Sequence, residues 1–170
     1  KYCRIEHNYY GIYTSGDVGW NSGGVTYFIR IENSLFQNGG TALYNYDGYN
    51  RYVYFNDNTI INADAIIYEW QCSYAEVKRN SITNGRIHIR NDMNPSAIPA
   101  DSISVIIHDN TLLFTEYFSF DAISINNESE YTTAIITNNI ITGPVPNGIY
   151  VNGNHQVSAT ITGNTIDGTN

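Results

Sequence analysis

Asp57-Asn58-Thr59-Ile60 is the stretch that decides the fold, because its pattern of an Asn followed two residues later by a large apolar side chain recurs along the chain. The seven cases are Asn8/Tyr10, Asn33/Leu35, Asn58/Ile60, Asn80/Ile82, Asn110/Leu112, Asn139/Ile141 and Asn164/Ile166. Successive Asn residues are 25, 25, 22, 30, 29 and 25 positions apart. A period in the twenties is typical of a solenoid, in which each repeat stacks on its neighbour.

Each repeat contains short strands with one buried face. Apolar residues stand three positions before the Asn, at Ile5, Phe55, Val77, Ile107, Ile136 and Ile161, and the second repeat, one residue short, offers Ile29 and Ile31 instead. After the Asn a second strand begins. A third strand then places Ile12, Leu43, Ile66, Ile87, Ile123 and Ile149 inward, with Tyr68 as a further inward residue in the third repeat. Alternation with period two, rich in Ile and Val, predicts strands, and no helical period competes with it.

The recurring Asn is predicted to lie at a corner of each repeat. Asn tolerates the left-handed backbone conformation that a sharp change of direction requires. Its amide can also donate to one neighbouring repeat and accept from the other, which satisfies buried polar groups at the corner. The sequence therefore predicts a ladder of stacked Asn side chains.

The unit apolar-x-apolar-x-x-Asn-x-Ile resembles the right-handed parallel β-helix of the pectate-lyase-like superfamily, over essentially all of the chain. The resemblance implies an all-β solenoid of about seven rungs, each with three short strands. Residues 1–170 are expected to form a single β-helix segment, truncated at both ends, because neither end carries an obvious cap. The superfamily includes polysaccharide lyases, glycoside hydrolases, tailspikes and adhesins, so the resemblance predicts fold better than activity.

Composition excludes several classes of function. The net charge of −8 disfavours nucleic acid as a partner, because no basic stripe is present to release phosphate counterions. No run of 18 apolar residues is present, so no membrane insertion is expected. Cys3 and Cys72 occupy different phases of the repeat, about three rungs apart, and are not expected to form a disulfide.

Aromatic and acidic residues concentrate in three long connections on consecutive rungs, which predicts a ligand-binding surface. The first, 14–26, contains Asp17 and Trp20; the second, 45–51, contains Tyr46, Asp47 and Tyr49; the third, 69–73, contains Trp70. With the outward residues Tyr13 and Tyr44, these would make an aromatic stripe interspersed with carboxylates. Sugars bind such surfaces through ring stacking and hydroxyl hydrogen bonds. The alternative interpretation is that the rings only cover sheet edges and loops.

Catalytic candidates are sparse. Aligned on the Asn, Glu32 and Asp57 would stand about 5 Å apart in one column, the separation of a retaining glycosidase pair. Lys78 and Arg79, near Asp57, are the best candidate base region for a lyase, which would also need calcium. The paired aspartates of polygalacturonase-like hydrolases and the Arg-x-Pro-x-x-Arg element of pectate lyases are absent. No His pair has the spacing of metal ligands, so no metal site and no other cofactor is predicted.

The sequence thus favours an extracellular, cell-surface or virion β-helix that binds or displays along a rigid shaft, with polysaccharide as the expected ligand. One alternative is a polysaccharide lyase or glycoside hydrolase. Another is a purely structural stalk or filament subunit, in which Tyr-rich faces pack against other copies in a homotrimer or filament.

Overall fold

The computed structural model describes residues 3–6, 9–15, 28–46, 52–69, 74–91, 103–127, 131–153 and 156–168. Within these ranges the regular structure consists of nineteen β-strands and no helix. The strands form three parallel sheets. The chain visits the sheets in strict rotation, so each set of three strands is one coil of a solenoid. The all-β solenoid prediction is confirmed.

The first sheet has seven strands, namely β1 (Cys3–Glu6), β4 (Ser34–Gln37), β7 (Thr59–Ile61), β10 (Ser81–Thr83), β13 (Thr111–Leu113), β16 (Ile140–Thr142) and β19 (Thr165–Asp167). The second has six, namely β2 (Tyr10–Ser15), β5 (Thr41–Tyr46), β8 (Asp64–Glu69), β11 (Ile87–Asn91), β14 (Ile123–Asn127) and β17 (Ile149–Gly153). The third also has six, namely β3 (Ile29–Glu32), β6 (Tyr52–Asn56), β9 (Tyr74–Lys78), β12 (Ile103–His108), β15 (Tyr131–Thr137) and β18 (Gln156–Thr162). The solenoid therefore makes six complete coils and begins a seventh, slightly fewer than predicted.

The core is built from columns of apolar side chains that repeat once per coil. In the third sheet the inward residues Phe55, Val77, Ile107 and Ile136 are completely buried. The first sheet contributes a second column, which consists of Phe36, Ile60, Ile82, Leu112 and Ile141. Because strands of adjacent coils are in register, each side chain packs on its equivalents above and below, as in other parallel stacks.

The Asn ladder is present at the corner between the third and first sheets. The side-chain Oδ1 of each ladder Asn accepts the backbone N–H of the ladder residue one coil earlier, over the pairs Asn58–Asn80 (2.9 Å), Asn80–Asn110 (3.0 Å), Asn110–Asn139 (3.0 Å) and Asn139–Asn164 (2.9 Å). The left-handed residue is the one before the ladder Asn, as at Asp57, Arg79, Asp109 and Asn138, whose φ angles are 58°, 52°, 57° and 56°. The ladder Asn is thus a hydrogen-bonding residue, and its predecessor makes the turn.

The ladder was misassigned in the first two coils. Asn33 has a φ of 51° and occupies the turning position, so Ser34 is the ladder residue, and its backbone N–H donates to Asn58 Oδ1 at 3.0 Å. Phe36, not Leu35, therefore points inward. In the first coil, Cys3 pairs with Ser34, which places Ile5 in the first sheet. Asn8 lies outside the described residues.

A second correction concerns β8. Ala65 and Ile67 are its buried residues, whereas Ile66 and Tyr68 were predicted to point inward. The pairing of β5 with β8 shifts register between Thr41 and Leu43, which is the signature of a β-bulge. Since one extra residue reverses the inward and outward faces of a strand, the inward residues of β8 were assigned one position too late, while Ile87 and Ile123 in the later strands are buried as predicted.

Candidate ligand-binding face

The outer face of the second sheet carries the two aromatic residues predicted to face solvent there. Tyr13 and Tyr44 follow the inward residues Ile12 and Leu43 and are Cα partners across neighbouring strands. Their ring centroids are 5.8 Å apart, with an interplanar angle of 10°. Tyr13 is 50% exposed, so one stacked ring presents much of its surface to solvent.

Two further tyrosines enlarge this platform. The ring of Tyr10 lies 4.8 Å from that of Tyr44 and 5.3 Å from that of Tyr13, and Tyr9 meets Tyr10 edge-on at 4.6 Å. We call Tyr9, Tyr10, Tyr13 and Tyr44 the tyrosine cluster. Shielding from solvent, followed by the neighbouring Tyr9 hydroxyl, raises the pKa of Tyr10, so this phenol is protonated at neutral pH and can donate hydrogen bonds.

The remaining predicted ligand-binding residues lie at or beyond the carboxyl ends of the same strands. Tyr46 closes β5 and is the Cα partner of Ser15. Asp17, Trp20, Asp47, Tyr49 and Trp70 lie outside the described residues. The chain segments that contain them connect the second sheet to the third in three consecutive coils, after β2, β5 and β8.

An ion pair that was not predicted from the sequence lies at the amino-terminal ends of β8 and β11 in the second sheet. Arg86 Nε donates to Asp64 Oδ2 at 3.0 Å, and the Arg86 backbone N–H donates to Asp64 Oδ1 at 3.2 Å. The ring of Phe120 covers the guanidinium at 4.1 Å. Burial raises the pKa of Asp64 in spite of the arginine. Both residues stand six positions after a ladder Asn, so aligning the repeats at this phase would have revealed the pair.

The predicted carboxylate column of Glu32 and Asp57 is wrong. Glu32 pairs with Asn56, whereas Asp57 occupies the turning position that Asn33 holds one coil earlier. The cause is the register of the second coil, in which Ser34 takes the ladder position. The two carboxylates therefore belong to different columns of the solenoid.

Asp57 is held by Arg79, as its predicted proximity to that residue suggested. Arg79 donates to both carboxylate oxygens, from Nε at 2.7 Å and from Nη2 at 2.6 Å. The hydrogen bond from Arg79 lowers the pKa of Asp57, although partial burial acts in the opposite direction. A carboxylate that ionises this readily is poorly suited to the role of general acid in glycoside hydrolysis.

Lys78 is engaged on the outer face of the third sheet. Its Nζ lies 2.5 Å from Glu76 Oε1, which also accepts from Asn56 Nδ2 at 3.0 Å, while Tyr74 Oη donates to Glu76 Oε2 at 2.9 Å. Burial alone would raise the pKa of Glu76, but these three hydrogen bonds together lower it. Burial and the adjacent Glu76 raise the pKa of Tyr74 to about 12. Lys78 is therefore a cation with a fixed partner.

A second, exposed Asn column lies at the corner between the first and second sheets. Asn62 Nδ2 donates to Asn38 Oδ1 at 3.1 Å, and Asn84 Nδ2 donates to Asn62 Oδ1 at 3.3 Å. All three residues have φ between 50° and 54°. They stand four positions after the ladder residue, a spacing that is visible in the sequence and was overlooked.

Two negative findings apply to the described part of the chain. No group of three His, Cys, Asp or Glu side chains there could hold a metal ion. No helix in the same ranges is long and apolar enough to cross a membrane.

The three parallel sheets and the internal Asn ladder agree with what comparison with protein families finds. A profile described as "Right handed beta helix region" matches residues 1–166. The chain belongs to this family. Membership in the right-handed beta helix family gives the hand of the coils and is consistent with the resemblance to pectate-lyase-like proteins. Comparisons with curated proteins and with solved structures find no match.

Proposed function

We propose that this right-handed beta helix binds polysaccharide along the outer face of its second sheet, as a rigid shaft on a cell or virion surface. The observation that carries the proposal is the stacked pair Tyr13 and Tyr44, of which Tyr13 is half-exposed. Exposed rings on a rigid sheet offer apolar faces to the C–H surfaces of sugars, and phenol hydroxyls exchange hydrogen bonds with sugar hydroxyls.

The geometry of the solenoid suits an extended ligand. Successive coils place equivalent side chains about 4.8 Å apart, so the platform presents its rings in a row and not as a closed pocket. The rings contact one another, which restricts their rotamers before any ligand arrives and lowers the entropy lost on binding. Asp17, Trp20, Asp47, Tyr49 and Trp70, which follow these strands in the sequence, would then supply further stacking and carboxylate acceptors.

The charged groups support binding of the polysaccharide without its cleavage. Asp57 and Lys78, two of the residues considered for catalysis, each have a close ion-pair partner. Neither is poised as a free acid or base. We therefore expect no unsaturated product, measured by ultraviolet absorbance, when the protein is incubated with acidic polysaccharides. Accumulation of such a product would favour the lyase alternative.

The binding proposal is tested by a glycan array followed by titration of the best polysaccharide. Tyr13→Ala and Tyr44→Ala should each weaken binding at least about tenfold, because each removes one stacking surface. Trp20→Ala and Trp70→Ala should weaken it as well. Tyr117→Ala is the matched control, since Tyr117 is 62% exposed but lies in the connection between β13 and β14, outside the proposed binding face. Equal loss in Tyr117→Ala, or no glycan bound at high protein concentration, would contradict the proposal.

A further inference from the structure

The outer face of the third sheet is continuous and divided into two unlike halves. Its six strands keep one register throughout, without a bulge. The outward positions on β3, β6 and β9 include Arg30, Tyr52, Tyr54, Tyr74, Glu76 and Lys78. Those on β12, β15 and β18 include Ser104, Ile106, Thr133, Ile135, Ser158 and Thr160. We call these the aromatic half and the hydroxyl half of the third-sheet face.

Charges on this face are either absent or paired. The chain has a net charge of −8, yet no Asp, Glu, Lys or Arg occupies an outward position on the described parts of β12, β15 and β18. In the aromatic half the charges are paired with one another, as Arg30 is with Glu32 at 3.6 Å and Lys78 with Glu76 at 2.5 Å. Two acidic molecules repel one another least where they meet through such a face.

Apolar surface is exposed in both halves. Tyr52 is 44% exposed in the aromatic half and Ile135 is 36% exposed in the hydroxyl half. The rings of Tyr52, Tyr54 and Tyr74 form a continuous strip, and the Arg30 guanidinium lies over Tyr54 at 5.2 Å. Exposed aromatic residues with Arg among them are the composition that protein interfaces favour.

We propose that this face joins two copies of the chain in an antiparallel dimer. A second copy is the partner whose side-chain rows have the same spacing, about 4.8 Å, so that all rows can interdigitate in register. Closed two-fold dimers are also the commonest assemblies of identical chains. Six strands at that spacing, five residues long, give a footprint of roughly 500 Å² per copy, or about 1,000 Å² in total, which is the size of a weak interface. The dimer is therefore concentration-dependent.

The antiparallel orientation follows from the two halves. If the solenoids ran parallel about a two-fold axis, Glu76 would face Glu76 and Arg30 would face Arg30 of the other copy, which places like charges together. In the antiparallel arrangement the aromatic half covers the hydroxyl half, where Ser and Thr hydroxyls can bond to the charged groups. A two-fold axis between β9 and β12 sets β6 against β15, and so Tyr54 against Ile135 of the second copy.

Sedimentation velocity over a range of concentrations tests the dimer. Ile135→Glu introduces a charge into the hydroxyl half and should raise the dissociation constant at least about tenfold. The control Tyr150→Glu makes the same change at a similarly exposed outward position of the second sheet and should leave the constant unchanged. A wild-type chain that stays monomeric at all concentrations overturns the proposal. So does a dimer that Tyr150→Glu weakens and Ile135→Glu does not.

Cysteine cross-linking tests the orientation. With Cys3 and Cys72 replaced by Ser, a mixture of Tyr54→Cys and Ile135→Cys should be joined by a short bis-maleimide reagent, which spans the roughly 10 Å between two packed sheets, and neither variant alone should be joined. Cross-linking of each variant with itself, and none in the mixture, overturns the antiparallel arrangement. Tyr13→Ala lies on the second sheet and should leave the dimer intact, so failure of the glycan proposal and failure of this one are separable.

Discussion

Asn110 shows how much one corner side chain contributes at the residue scale. It is fully buried, donates from Nδ2 to Val77 O at 2.9 Å and to His108 O at 3.1 Å, and accepts the backbone N–H of Asn80. Asn110→Ala removes the acceptor of the buried Asn80 N–H and the amide donor to Val77 O, so we expect a loss of about 3 kcal/mol in the free energy of unfolding. Asn62→Gly, in the exposed Asn column, keeps the left-handed turn and should cost about 1 kcal/mol. Chemical denaturation measures both, and equal losses would argue that burial of the ladder does not set its contribution.

Two Asp–Arg pairs of similar geometry are expected to titrate on opposite sides of the ordinary pKa of Asp. The hydrogen bond from Arg79 lowers the pKa of Asp57, whereas burial raises the pKa of Asp64. Asp57 therefore stabilises the fold above the ordinary pKa, and this contribution is lost as the pH falls through its lowered value. The contribution of Asp64 is present at low pH and is lost as the pH rises through its raised value. Carboxyl carbon chemical shifts, followed by NMR with Asp57→Asn and Asp64→Asn for assignment, should show Asp57 ionising first; the reverse order would contradict the prediction.

At the scale of the element, strand identity could be predicted well and strand register only in part. The Asn at positions 58, 80, 110, 139 and 164 placed five ladder corners correctly, because the amide and the apolar columns repeat together there. Ser34 was missed because it has no side-chain amide that would mark it as a ladder residue in the sequence. Its backbone N–H alone is enough to join the ladder, by donating to Asn58 Oδ1 in the next coil. The bulge between β5 and β8 was missed because its extra residue, Ala42, is small and apolar and does not interrupt the apolar pattern of the sequence.

The candidate site was predictable to the same extent. Tyr13 and Tyr44 followed from alternation within strands, which fixes the face of a side chain. The Arg86–Asp64 pair joins adjacent coils, so predicting it requires the register between them. The Lys78–Glu76 pair lies within β9 and was overlooked. Connections between the second and third sheets vary in length from coil to coil, so no repeat argument applies to them.

Gly85 belongs to a corner where two coils meet closely. A Cβ at this position would lie 1.9 Å from the carbonyl oxygen of Ala63, which is backbone and cannot rotate away. Gly85→Ala should therefore cost at least about 2 kcal/mol of stability, because the close-packed stack must separate locally. Gly40→Ala is the control, since its Cβ would lie 3.0 Å from Tyr9 O and needs a smaller shift. A thermal melt should show the larger decrease in Tm for Gly85→Ala, and equal decreases would contradict the stated cause.

At the scale of the whole molecule, the solenoid is a one-dimensional stack in which each coil contacts only the coils next to it. Ile107 and Ile136 are buried in the same column in adjacent coils, and Phe55 lies in that column two coils before Ile107. Ile107→Ala should cost about 3 kcal/mol, and its effect should add to that of Phe55→Ala but not to that of Ile136→Ala. Urea denaturation of the single and double variants measures both sums, and equal coupling in the two pairs would argue against nearest-neighbour stacking of coils.

The ladder also has a direction. A ladder amide donates to a carbonyl of the coil before it, as Asn80 does to Phe55 O, and to the Asn oxygen of the coil after it, as Asn80 does to Asn110 Oδ1. Its own oxygen accepts the backbone N–H of the ladder residue in the earlier coil, as Asn80 Oδ1 does from Asn58. A corner is thus completed only by the winding that comes later in the chain. Since the ribosome releases the amino-terminal windings first, every new winding meets a finished template and closes the corner beneath it, and the molecule can be assembled in the order of its own synthesis.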